Sequence, residues 1–181
     1  MSSMKKIAQR QDKRVSKKTG LRIRANSGAV AGHRGDLGGP DLFVETKTGY
    51  AKPGTLHFDK EWIKKVRQQA FSMGKPYWAI VIDPGVGEDY VLTELKQLIS
   101  LGASIPVSED SSLWDDYLKS KSISLSALDT SLYRALISGA FPMVQISYKD
   151  GSTPLAITYL DNYIELYNKE RAQYVQDPRL H

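Results

Sequence analysis

Asp36, Glu45 and Lys47 put two carboxylates and an ammonium into one short stretch around a bend. Leu42 to Lys47 reads as a strand, because Phe43 and Val44 are strand formers and Gly38, Gly39 and Pro40 mark a turn just before it. Side chains alternate along a strand, so Phe43, Glu45 and Lys47 share one face while Leu42 and Val44 take the other. If the turn closes a hairpin, Asp36 lies on the partner strand, across from or diagonal to Glu45. Two carboxylates and an ammonium then converge. Mg²⁺ prefers oxygen ligands and is typically held by one or two carboxylates, water and substrate phosphate. It lowers the pKa of a bound water and neutralises charge on a phosphate under attack. A lysine two residues beyond a ligating carboxylate can orient the nucleophile or stabilise the developing charge. Taken alone, a Glu-x-Lys triplet reads more often as a surface strand whose charges pair in solvent. The elements around it decide.

A helix is expected over residues 4–18, with Ile7, Gln11 and Val15 on one thin apolar stripe and basic residues elsewhere. Asp12 lies beside that stripe, which would point it inward toward the site. Leu21 to Arg24 reads as a short strand, and Asn26 to Gly35 as a loop of small residues whose backbone N–H groups could approach a phosphate. His33 has no partner at metal-ligand spacing. Residues 49–56 read as a loop, after which Asp59 caps a helix over Lys60 to Met73 with Trp62, Ile63, Val66, Ala70 and Met73 buried. Tyr77 to Ile82 is a strand buried on both faces. Tyr90 to Leu92 follows as another, and Thr93 caps a helix over residues 94–100.

Beyond a polar linker at 103–112, short helices are expected at Leu113 to Leu118 and Leu125 to Ser138. Strands at Met143 to Tyr148 and Leu155 to Thr158 then precede a helix from Tyr159 to about Arg171. This strand–turn–strand–helix order echoes residues 77–101, which hints at a repeated unit or a sheet extension. Tyr159, Tyr163 and Tyr167 stand at i, i+4 and i+8, as a core or dimer face would.

The composition, 41% hydrophobic and 25% charged over 181 residues, is that of an ordinary globular domain with room for an appendage. Cysteine is absent, which excludes disulfides, thiol catalysis and Cys-based zinc sites. There is no run long enough to span a bilayer and no apolar leader at the start, so a cytoplasmic protein is expected. Residues 1–24 hold nine Lys or Arg against Asp12 alone, a net of +8 that leaves −3 on the rest of a chain whose total is +5. A basic segment on a mildly acidic body is the footprint of a phosphate-backbone partner. Lys13, Arg14, Lys17, Arg22 and Arg24 in that segment, and Arg34 in the loop after it, are the candidate contacts to such a backbone.

The order Ser27-Gly28-Ala29, Gly35-Asp36, Phe43-Val44-Glu45-Thr46-Lys47, with a basic first helix before it and Gln69-Ala70 after it, resembles the PD-(D/E)xK nuclease superfamily. The resemblance covers roughly residues 5–100 and is nearest to phage and archaeal Holliday-junction-resolvase-like members. It implies an α/β fold with a restriction-endonuclease-like core, a central mixed sheet flanked by helices, over residues 1–102. Residues 103–181 would be a C-terminal α+β extension packed on the same sheet or forming a dimer interface. It implies a metal-dependent endonuclease that hydrolyses DNA phosphodiesters, selective for branched DNA and working as a homodimer, in a host cytoplasm if of phage origin. Asp36, Glu45 and the Thr46 carbonyl would hold Mg²⁺, with Mn²⁺ able to substitute. Lys47 would be the catalytic lysine, Asp12 and Gln69 would assist, and Ser27 would contact phosphate or orient the site. The family places Glu where Asp12 stands. That departure favours the alternative, a nucleic-acid-binding or accessory protein that keeps the fold without the chemistry.

Overall fold

In a computed structural model of the chain, residues 3–23, 37–48, 54–104, 122–147 and 152–176 are described. They form an α/β arrangement, a mixed seven-stranded sheet flanked by helices. In chain order the elements are α1 (Ser3–Thr19), β1 (Arg22–Ile23), β2 (Leu37–Gly38), β3 (Leu42–Thr48), β4 (Thr55–His57), α2 (Lys60–Ser72) and β5 (Tyr77–Asp83). Then come β6 (Tyr90–Glu94), α3 (Leu95–Ser100), β7 (Ser122–Ser124), α4 (Leu125–Ile137), β8 (Met143–Ile146), β9 (Leu155–Tyr159) and α5 (Leu160–Gln176). The sheet order is β1-β2-β3-β5-β6-β9-β8, and β4 pairs with β7 in a separate two-stranded ribbon.

The β2–β3 hairpin forms where the glycines and proline predict it, with Leu37 opposite Val44 and Gly38 opposite Phe43. The Gly39 N–H donates to the Leu42 carbonyl at 3.0 Å. A Cβ at Gly39 would stand 3.3 Å from a Leu21 methyl and 3.4 Å from the Tyr167 hydroxyl, so the bend is tucked against the core. β3 then pairs with β5 in parallel, which requires a crossover, and α2 supplies it. Asp59 caps α2 as expected, accepting from the Glu61 N–H at 2.9 Å.

The sheet is covered on both sides. α2 and α4 close one face over Phe43, Ile80, Ile82, Leu92 and Ile157. α1, α3 and α5 close the other over Leu42, Val44, Val81, Val91 and Ala156. β5 is buried on both faces, which is why its sequence is apolar without alternation.

The echo noted in the sequence is an internal repeat of five elements. β4-α2-β5-β6-α3 and β7-α4-β8-β9-α5 follow the same path, and the two copies meet through antiparallel pairs β4·β7 and β6·β9. The hydrogen bonds repeat as well. The Leu95 N–H that opens α3 donates to the Pro154 carbonyl before β9, and the Leu160 N–H that opens α5 donates to the Asp89 carbonyl before β6. The Thr93 hydroxyl donates to the Trp78 carbonyl and the Thr158 hydroxyl to the Pro142 carbonyl. α2 and α4 each run 13 residues and stop at a left-handed glycine, Gly74 and Gly139.

Several expectations change. β4 is a strand where a loop was expected, and β7 is a strand between the two expected helices, where no element was assigned; each is three residues long and is defined only by its partner. Thr93 is not a helix cap: it lies within β6, opposite Ala156, and the cap position falls to Glu94. Tyr159 ends β9, so it faces α4 while Tyr163 and Tyr167 pack beneath α5 on the far side of the sheet. Ile7 is exposed, and only Gln11 and Val15 of its stripe are buried. The helix expected at Leu113 to Leu118 lies outside the described residues.

Burial raises the phenol pKa of Tyr90, Tyr159, Tyr163 and Tyr167 above the ordinary 10.0; hydrogen bonds to Asp129 add to it at Tyr90 and Tyr159, and one to Asp41 at Tyr167. Each of these phenols holds its proton more tightly folded than unfolded, so its stabilising contribution is complete below the ordinary value and is lost as pH rises above it. In an alkaline titration followed by phenolate absorbance, four of the ten tyrosines should ionise only in the step where the far-ultraviolet circular dichroism collapses. Smooth ionisation of all ten before unfolding would contradict this packing.

Candidate functional site

β3 carries its charges into a sheet that is covered on both faces, and the pleat sorts them. Phe43 packs in the cluster beneath α2, and Glu45 and Lys47 follow it on the same face. The Lys47 ammonium touches Glu45 Oε1 at 2.7 Å, with the two side chains only 17% and 12% exposed. The same ammonium lies 5.4 Å from the centre of the Trp62 ring, at the start of α2. Trp62 in turn meets His57 of β4 edge to face at 5.7 Å. The cation is thus held between a carboxylate and an aromatic face, a pairing that restricts it while leaving its charge in place.

Thr46 points the other way, and α1 is what it meets. Its hydroxyl donates to Asp12 Oδ1 at 2.6 Å. Asp12 therefore points inward as expected but toward the face opposite Glu45 and Lys47, because α1 packs over Leu42 and Val44. Buried Gln11, the residue before Asp12, ties the strand ends together. Its amide donates to the carbonyls of Lys47 and Val81 at 3.4 Å each, and its oxygen accepts from the Thr48 hydroxyl.

Arg14, expected as a DNA contact, is taken up in an ion-pair cluster within the fold. Its guanidinium donates to both oxygens of Asp89, at 2.9 and 2.7 Å, and to Asp83 at 2.9 Å. The Asp89 hydrogen bonds raise its pKa above the ordinary arginine value, burial opposes that, and Asp83 adds to it. Lys13, Lys17 and Arg22 remain exposed. With Lys6 and Arg10, Lys13 and Lys17 form one outward stripe on α1 at i, i+4, i+7 and i+11.

Gln69 lies on α2 seven residues beyond Trp62, two turns along the same side of the helix. Its side-chain oxygen is buried and has no hydrogen-bond partner among the described residues. Asp36, Ser27, Arg24 and Arg34 lie outside the described residues. Among the described residues, no three Asp, Glu or His side chains gather at one point.

Sequence reasoning missed a second cluster on the same face. Reading across the sheet, Lys47 stands beside Ile82, Ile82 beside Tyr90, and Tyr90 beside Tyr159. The hydroxyls of Tyr90 and Tyr159 both donate to Asp129 Oδ1, at 2.8 and 2.9 Å. The pairing of β6 with β9 creates that row, and nothing local in the sequence announces it. Compared with protein-family models, with curated proteins and with solved structures, the chain matches none.

Asp89 is the most deeply buried partner in the Arg14 cluster, with 1% of its side chain exposed against 37% for the arginine. Arg14→Ala should destabilise the fold by about 2 kcal/mol in urea denaturation, reduced from the roughly 3–5 kcal/mol of a fully buried pair because the guanidinium is partly solvated. No change in midpoint would show that Asp83 and Asp89 are neutralised by other means.

Proposed function

We propose that this protein is a metal-dependent endonuclease that hydrolyses DNA phosphodiester bonds, with a preference for branched DNA. The observation that carries the reading is the Glu45–Lys47 contact at 2.7 Å, set at the carboxyl end of a strand that pairs in parallel with its neighbour. Ligands of open α/β sheets gather at such strand ends. The order of a basic helix, a hairpin, a Glu-x-Lys strand, a crossover helix and a parallel strand also agrees with the PD-(D/E)xK resemblance.

The donor set suits a hard cation. Glu45 offers carboxylate oxygen, Thr46 a main-chain carbonyl and Asp36 a second carboxylate. The reading requires Asp36, one residue before Leu37, to continue the hairpin register in which Leu37 faces Val44. Gln69 Oε1, buried and unpartnered among the described residues, is an acceptor with capacity to spare on the helix that covers this face. Mg²⁺ bound there would supply an acidified water and charge neutralisation at the phosphate, and Mn²⁺ could replace it.

The chain's own groups do the rest. The Lys47 ammonium, steadied by Trp62, can donate to the attacking water or to a phosphate oxygen as negative charge builds. Before a cation arrives, Glu45 holds that ammonium at 2.7 Å. The stripe of Lys6, Arg10, Lys13 and Lys17 spans roughly 16 Å of helix and can track a phosphate backbone without reading bases. Symmetrical cutting of a junction would call for two copies of the site, as a twofold dimer provides.

One observation favours a second reading, a nucleic-acid-binding protein without cleavage. Asp12 is hydrogen-bonded to Thr46 on the face away from Glu45, so the first helix brings no acid to the Glu45–Lys47 side. A single assay separates the two. Branched and linear DNA are incubated with the protein in Mg²⁺, Mn²⁺ or EDTA, beside Lys47→Ala. The nuclease reading expects cleavage that EDTA abolishes and that Lys47→Ala reduces roughly 10²–10³-fold, while DNA affinity changes little. Binding without cleavage under every metal condition would establish the second reading instead.

A further inference from the structure

The internal repeat supplies a control for one exposed surface. α2 and α4 are counterparts of equal length, and each buries one face in the core beneath it. On the face turned away, α2 carries Glu61, Lys65, Gln68 and Ser72, an ordinary solvated set. The same helix positions on α4 hold Ser126, Thr130, Tyr133 and Ile137, all exposed and none charged. Tyr133, Leu136 and Ile137 are 63%, 56% and 66% exposed on adjoining turns. Together they show roughly 350 Å² of side chain, a contiguous patch of the size that is often functional on a monomer. The Thr130 hydroxyl already donates to the Ser126 carbonyl at 2.7 Å, so its donor needs no partner outside.

The spacing of that face is specific. Ser126, Thr130, Tyr133 and Ile137 follow one another at steps of four, three and four, the seam of a two-stranded coiled coil. Asp129 stands one residue before Thr130, and Arg134 one residue after Tyr133, so they flank the seam on opposite sides. Asp129 Oδ1 accepts from Tyr90 and Tyr159, but no cation answers its charge among the described residues, and no anion answers Arg134. When two such helices pack in parallel about a twofold axis along the seam, one flank of each meets the opposite flank of the other, five residues on. Asp129 and Arg134 are five residues apart. An antiparallel pair would instead set acid toward acid and guanidinium toward guanidinium. Two patches amount to about 700 Å², roughly the apolar share of the smaller stable contacts, which bury about 1,200 Å² in all.

We propose that α4 is the interface of a homodimer in which two copies pack in parallel about a twofold axis along their seams. Thr130, Tyr133 and Ile137 of each copy meet those of the other, and Leu136 closes one side. Asp129 pairs with Arg134 of the partner subunit, twice over, and these pairs fix the register. Because Asp129 also holds Tyr90 and Tyr159, the ion pair ties the interface to the sheet beneath it. The inference does not rest on the nuclease reading. It uses none of Asp36, Glu45 or Lys47, and its test reads mass rather than cleavage.

Sedimentation velocity of the full chain over a range of concentrations tests it, and should show a monomer–dimer equilibrium. Ile137→Asp should weaken the dimer roughly 100-fold or more, since the side chain is lost from both copies. Arg134→Glu should weaken it roughly tenfold by setting acid against acid, and Arg134→Lys much less. The chain has no cysteine, so a single introduced thiol reports its own neighbour. Thr130→Cys faces its own copy across the axis, within disulfide reach, and should give a covalent dimer on oxidation. Lys65→Cys, at the matching position of α2, should not. All these residues are exposed, so the variants should fold, and circular dichroism checks that they do. A monomer at every concentration up to about 100 µM overturns the proposal, since contacts of this size reach micromolar affinity or better. So does a dimer that survives Ile137→Asp, or one in which Thr130→Cys fails to cross-link.

Discussion

Because β3 and β5 run parallel, the chain cannot double back at Thr48; it must cross the length of the sheet before re-entering at Tyr77. That return is α2, and its placement follows from the pairing. It brings Trp62 over Lys47 at one end and Arg67 against Glu94 and Thr153 further along. It also buries the middle of β3, which makes the charges at its end costly unless they are paired. Lys47 and Glu45 answer each other on one face. On the other, Thr46 is answered by Asp12, and Thr48 by Gln11. Gln11 spans both strands through the carbonyls of Lys47 and Val81, so α1 clamps the parallel pair where a ligand would arrive.

The repeat accounts for the rest of the sheet. Two copies of one five-element path join through β6·β9 and β4·β7, and reciprocal bonds from Leu95 and Leu160 lock their helices to each other's strands. The two halves differ at matching corners. One holds Asp129 with two tyrosines, and the other holds Lys64 and Arg67 over leucine and glutamate. Hydrophobic floors are conserved in kind while the charges change sign.

What could be read from the sequence was what local chemistry dictates. Gly38-Gly39-Pro40 gave the bend, Asp59 the cap, and the unbroken apolar run at Tyr77 the doubly buried strand. The two-residue spacing of Glu45 and Lys47 on a strand puts them on one face, where they pair. Contacts between distant segments were not legible. Arg14 looked like part of one basic footprint because Asp83 and Asp89 lie 69 and 75 residues away. Asp12 was correctly turned inward, yet sequence cannot say which face of β3 its helix covers. Tyr159 was assigned to the helix that begins one residue later, and that single residue moves its ring through the sheet. β4 and β7 lack the length to show a period at all.

The charge balance around Lys47 explains why the acid count matters more than the fold for the chemistry. Glu45 and Lys47 form a pair that sums to zero, well shielded from water. A neutral pair has little pull on a dication, and displacing the ammonium from Glu45 to admit one would cost the contact already made. A second carboxylate changes the sign. With it the cluster would be net negative, the two carboxylates would hold a divalent ion, and the ammonium would be free to turn toward solvent or phosphate beside Trp62. On the proposed reading the pair would be a resting arrangement, with Glu45 holding the lysine until a cation competes for it. Without the second acid it is an internal salt bridge that stiffens the strand end. The same two side chains thus serve either reading, and one negative charge decides between them.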